Sequence, residues 1–341
     1  MSTEFTPSKS VIVWLWSGIL LILIMVSIGG LTRLTHSGLS MTHWTFTGSL
    51  PPMNDVEWNI EFDKYKTSPE FVELHNHFAL EDFKSIFWWE YIHRMFGRMI
   101  GLVFIFPFVF FIIKRKIPMK LLPQFLIILG LGASQALLGW FMVKSGLIDV
   151  PRVSHYRLSA HLITAFLTCT YIFWVLLNYS GFGKLKRQAN TWTRWVGLLI
   201  VLLITQIIFG GFVAGLKAGW VHNTWPLMDG SLIAPSVFAM NPTWINFFEG
   251  KSGVQFIHRT LGILIFLYVT FVSWRIVRLG DKPLVAPAML LAFSIFTQVT
   301  LGVLTLLLLV PISLAVVHQV FALVTLLSGV WLWHRLKYAR N

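Results

Sequence analysis

WEYIHRMFGRMIGLVF, residues 89–104, is echoed later in the chain by VQFIHRTLGILIFLYV, residues 254–269. Each is a long apolar run broken by a His-Arg pair, His93-Arg94 and His258-Arg259. A run of about 20 mostly apolar residues crosses a bilayer as one helix. Ionisable residues inside such a run are costly, and each calls for a reason. Three more echoes follow in the same order. SIGGLTRLTHSGLS (27–40) matches IFGGFVAGLKAGWV (208–221), SQALLG (134–139) matches TQVTLG (297–302), and RLSAHLITAFL (157–167) faces SLAVVHQVFAL (313–323). The chain therefore reads as an internal repeat.

The rest of the sequence agrees. Of 341 residues, 56% are hydrophobic and 12% charged, with mean hydropathy +0.71. A soluble domain carries about 25% charged residues and about 45–50% apolar ones, so the soluble class is excluded. The formal charge of +13 does not point to nucleic acid. Its basic residues fall in short clusters between apolar runs, as the positive-inside rule requires, and no nucleic-acid motif is present. Cys169 is the single cysteine, which excludes an intrachain disulfide and a cysteine metal cluster.

Spans are expected at 11–31, 88–113, 121–143, 156–178, 193–215, 254–275, 285–309 and 312–334. Basic clusters follow every second span: Lys114, Arg115, Lys116 and Lys120; Lys184, Lys186, Arg187 and Arg194; Arg275, Arg278 and Lys282; and Arg335, Lys337 and Arg340. These belong in the cytoplasm, with both chain termini. Acids collect in the opposite loop, 32–87. A second large outer loop covers 216–253. The start, MSTEFTPSKS, resembles neither a signal peptide nor an Arg-rich transit peptide, so a bacterial inner membrane is expected. The expected fold is all-α: eight transmembrane helices as two pseudo-symmetric four-helix bundles, an N-terminal half (1–180) and a C-terminal half (181–341).

Of eleven histidines, four repeat at matching places: His93 with His258, and His161 with His318. Each lies near the outer end of an even-numbered span, so each half offers two imidazoles at similar depth. Facing helices of a bundle build cofactor sites in this way. A lone intramembrane histidine would be read as a hydrogen-bonding bridge between helices; two matched pairs in a repeat read as ligands. Neutral imidazole ligates haem iron, zinc or copper, and zinc and copper sites usually add Cys, carboxylate or Met, for which no repeated cluster exists. Two axial histidines with small residues nearby (Gly97, Gly101, Gly262) suit a haem plane, although glycine also serves close helix packing. Arg94 and Arg259 fit haem propionates and equally fit arginines that snorkel to the interface. His36, His43, His75, His77 and His222 read as outer-loop surface residues, and His155 as a boundary residue.

The halves differ at one position. Glu90 precedes His93 by three residues and shares its helix face, whereas Gln255 precedes His258. A buried carboxylate can move protons; it can also simply orient an imidazole. The asymmetry favours catalysis at Glu90.

EYIHRMFGR, PRVSHYRLSAHL, AGLKAGWVHNTWPLM and VQFIHRTLG, with GGLTRLTHSGLSM (29–41) and VHQVFAL (317–323), together resemble the haem A synthase family over nearly the whole chain. The chain resembles the branch without a cysteine pair in the first outer loop, similar to mitochondrial and many proteobacterial members. Ile257 departs from the Asp often found there. The resemblance implies eight helices in two halves and oxidation of a methyl group of haem O to a formyl group for terminal oxidases. It implies His93 and His161 as substrate-haem ligands, His258 and His318 as axial ligands of a haem b cofactor, and Glu90 as the catalytic residue. Haem O synthase and a terminal oxidase are the partners expected from pathway logic, beside an unnamed electron-transfer partner. Two rival readings remain: a di-haem b electron-transfer cytochrome, which explains the four histidines and leaves Glu90 against Gln255 unexplained, and a haem carrier or oxidase assembly factor, which predicts exchangeable haem with no covalent change to the porphyrin.

Overall fold

A computed structural model of the chain describes residues 5–43, 48–146, 153–182, 185–188 and 190–340. Nine α-helices form there. They are α1 (Lys9–Leu34), α2 (Asp55–Lys66), α3 (Leu80–Ile113), α4 (Leu122–Gly146), α5 (His155–Ser180), α6 (Trp192–Gly215), α7 (Lys251–Arg278), α8 (Lys282–Leu307) and α9 (Ile312–Lys337). All but α2 are long and apolar enough to cross a membrane, giving eight spans. The protein is an all-α integral membrane protein. At 1.5 Å per residue, the 26 residues of α1 reach about 39 Å, more than the ~30 Å hydrocarbon layer.

Span boundaries agree with the sequence to within a few residues except at α3. That helix begins at Leu80, two turns before the expected start, and Asp82 Oδ2 accepts the Ala79 backbone N–H at 2.9 Å. The extra turns stand outside the apolar stretch and carry Phe83 and Phe87. These rings pack with Trp58, Phe62 and Tyr65 of α2 in an aromatic core belonging to the first outer loop.

In the first half of the chain α1 packs on α3 and α5, and α4 packs on α5, while α3 and α4 touch lightly. In the second, α6 packs on α7 and α9, and α8 on both α7 and α9. Helices α3 and α5 stand on a diagonal, as do α7 and α9. The two sets meet through α5 with α6 and α1 with α9. Small residues permit close approach there: Gly211 lies against Ser159, whose hydroxyl donates to Ile208 O at 2.9 Å, and Gly30 faces Val316 and Gln319.

The main buried apolar cluster includes Trp14, Phe108, Phe125, Phe166, Tyr179, Leu199, Ile276, Leu291 and Leu332 and lies in one half of the bundle. At that face the Tyr179 hydroxyl donates to Lys116 O at 2.8 Å and accepts Ser8 N–H at 2.9 Å. Leu185–Arg187 pairs antiparallel with Tyr338–Arg340. The N-terminal segment, the α3–α4 turn, the α5–α6 link and the C-terminal end therefore share one face. Lys184, counted in the basic cluster of the α5–α6 link, lies outside the described residues. The opposite half of the bundle carries the four repeated histidines.

Candidate haem sites

His93 on α3 and His161 on α5 lie within electrostatic range of each other, as do His258 on α7 and His318 on α9. Each pair thus spans a diagonal of its helix set, and helices that flank the diagonal supply a glycine against every ring. A Cβ added at Gly29 of α1 would stand 3.6 Å from the His93 ring, and one at Gly139 of α4 would stand 3.4 Å from His161 Cε1. At Gly210 of α6 the distance to His258 Cε1 is 3.2 Å, and at Gly302 of α8 the distance to His318 Cε1 is 2.8 Å. At each of these glycines the helix presents bare backbone to an imidazole.

These glycines are not the ones expected beside the ligands. Gly97 faces Met25, Gly262 faces Gln206, and Gly101 borders open space. The signal was nevertheless in the sequence, because Gly29 matches Gly210 and Gly139 matches Gly302 in the repeated segments. Gln135 and Gln206 add a further lock: their amides donate to the backbone carbonyls of His161 at 3.0 Å and His258 at 2.9 Å.

The polar groups fit haem. Nδ1 of His161, His258 and His318 is buried without a hydrogen-bond partner, a costly state for a ring nitrogen with nothing to bind. Arg259 Nη2 donates to Thr224 O at 2.6 Å and Leu227 O at 3.1 Å, while its Nη1 is buried and unpartnered. A propionate carboxylate suits that donor. Among the described residues no three His, Cys, Asp or Glu side chains cluster, so the nitrogen donors come in pairs, as axial ligation of haem iron needs.

Glu90 is 2% exposed. Its Oε1 pairs with Arg94 Nη2 at 2.5 Å, and its Oε2 accepts Ser40 Oγ–H at 2.7 Å and the Met41 N–H at 2.8 Å. Arg94 also donates to Met41 O and His43 O, each at 3.0 Å. Glu90 and Arg94 together clasp residues 40–43 against α3, next to His93 in sequence. Arg94 is thus tied to Glu90 and to the carbonyls of Met41 and His43.

The second half repeats the clasp with an amide. Gln255 Nε2 donates to His222 O at 3.2 Å, and Gln255 Oε1 is buried without a partner. His222 corresponds to Met41 in the repeat. It is no surface histidine: it is buried, with Nδ1 against Asp229 Oδ2 at 2.5 Å and Nε2 near Ser252 Oγ at 3.0 Å and Ser236 Oγ at 3.2 Å. The hydrogen bond to His222 holds the Asp229 carboxyl below its ordinary value. Loop placement gave no hint of this burial, nor of that of Glu70 and Tyr65 in the first loop.

Of the remaining histidines, His155 opens α5 and is buried, 3.7 Å from Glu249. His36 lies 3.5 Å from Lys217. Pro151 and Arg152 of the PRVSHYRLSAHL motif lie outside the described residues.

Comparison with known proteins places these features. Residues 12–330 match the family described as cytochrome oxidase assembly protein. Haem A synthase of Flavobacterium psychrophilum is 47% identical over 96% of this chain and 98% of its own length. The enzyme of that name from Flavobacterium johnsoniae is 45% identical over 96% and 98%, and that of Parvibaculum lavamentivorans 43% over 95% and 93%. With a family match across nearly every span, and relatives aligned almost end to end, the chain belongs to the haem A synthase family.

Proposed function

We propose that this protein is a haem A synthase, oxidising a methyl group of haem O to a formyl group. The observation that carries the reading is the carboxylate of Glu90 beside one histidine pair, where the matching place beside the other holds the amide of Gln255. On this reading residues 1–180 form the substrate half and residues 181–341 the cofactor half, related by a pseudo-twofold axis along the membrane normal. The repeated segments, the matching glycines and the matching loop clasps support that relation.

His93 and His161 hold the substrate haem, and its apolar tail lies among lipid-facing side chains. His258 and His318 would hold haem b, and the unpartnered Arg259 Nη1 would serve a propionate. When bound, haem b supplies one-electron transfer; the protein supplies position and electrostatics. The glycine backbones fix the ring planes, and the loop clasps exclude water from each site. The Glu90 carboxylate accepts a proton released as the methyl carbon is oxidised, while Arg94 on Oε1 and Ser40 and the Met41 N–H on Oε2 keep it oriented. The termini and basic clusters lie on the cytoplasmic side of a bacterial inner membrane, a placement supported by their common face. Haem O synthase and the terminal oxidase are the neighbours before and after this step.

Extraction of haems from the purified protein, wild type and Glu90→Gln, tests this. Haem B with haem A or a hydroxylated intermediate in wild type, and haem B with unreacted haem O in the variant, is the expected result. Haem B alone in both, from cells that make haem O, would identify an electron-transfer cytochrome instead.

A further inference from the structure

The first outer loop holds a second buried carboxylate with no place in the mechanism above. Glu70 is 5% exposed and Tyr65 is fully buried. The Tyr65 hydroxyl donates to Glu70 Oε2 at 3.1 Å and lies 2.7 Å from His75 Nδ1. His75 ends the short helical turn Phe71–His75, stacks on Phe78 at 4.1 Å and is half-buried, so it reaches the outer surface. Met41 and Tyr91, which flank Glu90 in space and in sequence, pack against the aromatic core that contains Tyr65.

We propose that Glu70, Tyr65 and His75 are the proton outlet of the Glu90 site, carrying protons to the outer aqueous face. This rests on the reading of Glu90 as the proton acceptor. A proton passes from Glu90 to Glu70, each acid lying within the other's field. Once Glu70 is protonated the Tyr65 hydroxyl turns its hydrogen to His75 Nδ1; the Glu70 O–H then breaks as an O–H forms on Tyr65, and the original Tyr65 O–H breaks as an N–H forms on His75 Nδ1. The His75 Nε2–H then goes to bulk water. Only protons move, and each residue returns to its starting form once the imidazole resets its tautomer.

The charges around the chain suit this direction. Burial, with the negative charge of Glu90 as a smaller contribution, lifts the Glu70 carboxyl to about 7, against the opposing hydrogen bond from Tyr65. Glu70 thus takes up and gives up a proton near neutrality. Burial, with the positive fields of His77 and Lys217, lowers His75, so it stands neutral and ready to accept. Burial, with Glu70 and Glu90, keeps Tyr65 a phenol that conducts without ionising.

The test is conversion of haem O by the haem-loaded enzyme across pH, for wild type, Glu70→Gln and Tyr65→Phe, with haem content measured in each. Wild-type rate should climb as pH rises through about 7. Both variants should keep their haem, lose that limb and slow about tenfold or more at neutral pH. Wild-type rates and profiles in both variants would overturn the outlet. Haem loss in both would assign the trio a structural role and overturn it too. If wild type fails to convert haem O, the Glu90 reading falls first and the outlet with it.

Discussion

Gly302 lies so close to His318 that a Cβ on the glycine would come within 2.8 Å of the imidazole Cε1. The other three ligand candidates face their glycines at 3.2, 3.4 and 3.6 Å. Adding one methyl group should therefore do graded damage. Overpacking of this kind costs about 1–3 kcal/mol. Gly302→Ala should displace His318 and release most of the cofactor haem on purification. Gly210→Ala should weaken retention, Gly139→Ala should act mildly on the substrate site, and Gly29→Ala should be close to neutral. Haem-to-protein ratios across the four variants check the order; equal retention in all of them would remove the glycine cradle from the account.

The Glu90–Arg94 pair is almost fully enclosed, with side-chain exposures of 3% and 12%. Breaking a buried pair from one side strands the other charge and costs about 3–5 kcal/mol. Arg94→Gln should lower thermal stability strongly, because Glu90 then keeps only Ser40 and the Met41 N–H. The double variant Glu90→Gln, Arg94→Gln leaves no unpaired charge and should be the more stable of the two, although inactive. Melting curves in detergent decide this. A double variant less stable than Arg94→Gln would show that the carboxylate does not depend on its arginine.

Much of this was legible because a membrane spells its demands in length and polarity. Eight apolar runs became eight helices, and a His in an apolar run stands out where a soluble core would hide it. What the sequence did not tell was which face of each helix turns inward. On α1 the buried Trp14, Ile19 and Ile22 and the exposed Val13, Trp16 and Leu20 are equally apolar, because lipid and protein interior select the same side chains. The outer loops were illegible for a different reason. Glu70 is one acid in a stretch of many, and His222 one polar residue in a loop. Only the folded chain buries them against Tyr65 and Asp229.

His222 and Asp229 fasten the second loop, where Arg259 reaches Thr224 O and Leu227 O. Asp229→Asn removes the charge that anchors the imidazole while keeping the side chain's shape. Segment 222–231 should exchange its amide hydrogens faster, and cofactor haem should leave more readily, with no change at the first histidine pair. The depressed Asp229 carboxyl is a favourable contribution present above its ordinary value of about 3.8. It is lost only as pH falls through its lower folded value, so the loop should stay closed at neutral pH. Unchanged exchange in Asp229→Asn would mean that Ser236 and Ser252 hold His222 unaided.

Glu70 makes the opposite prediction for stability. Its folded value of about 7 lies above the ordinary 4.5, so between those values the folded loop holds a proton that the unfolded chain has released. Stability must then fall as pH rises from about 4.5 to about 7 and stay low above it. The loss is at most on the order of 3 kcal/mol. Glu70→Gln cannot ionise, yet it can still accept from the Tyr65 hydroxyl. It should match wild type near pH 4.5 and hold the first outer loop more firmly at pH 8. Hydrogen exchange of α2 at the two pH values gives a direct reading. Equal protection in wild type and variant at pH 8 would mean that the carboxylate finds enough solvation or partners when charged, and that its burial is not what lifts its proton affinity.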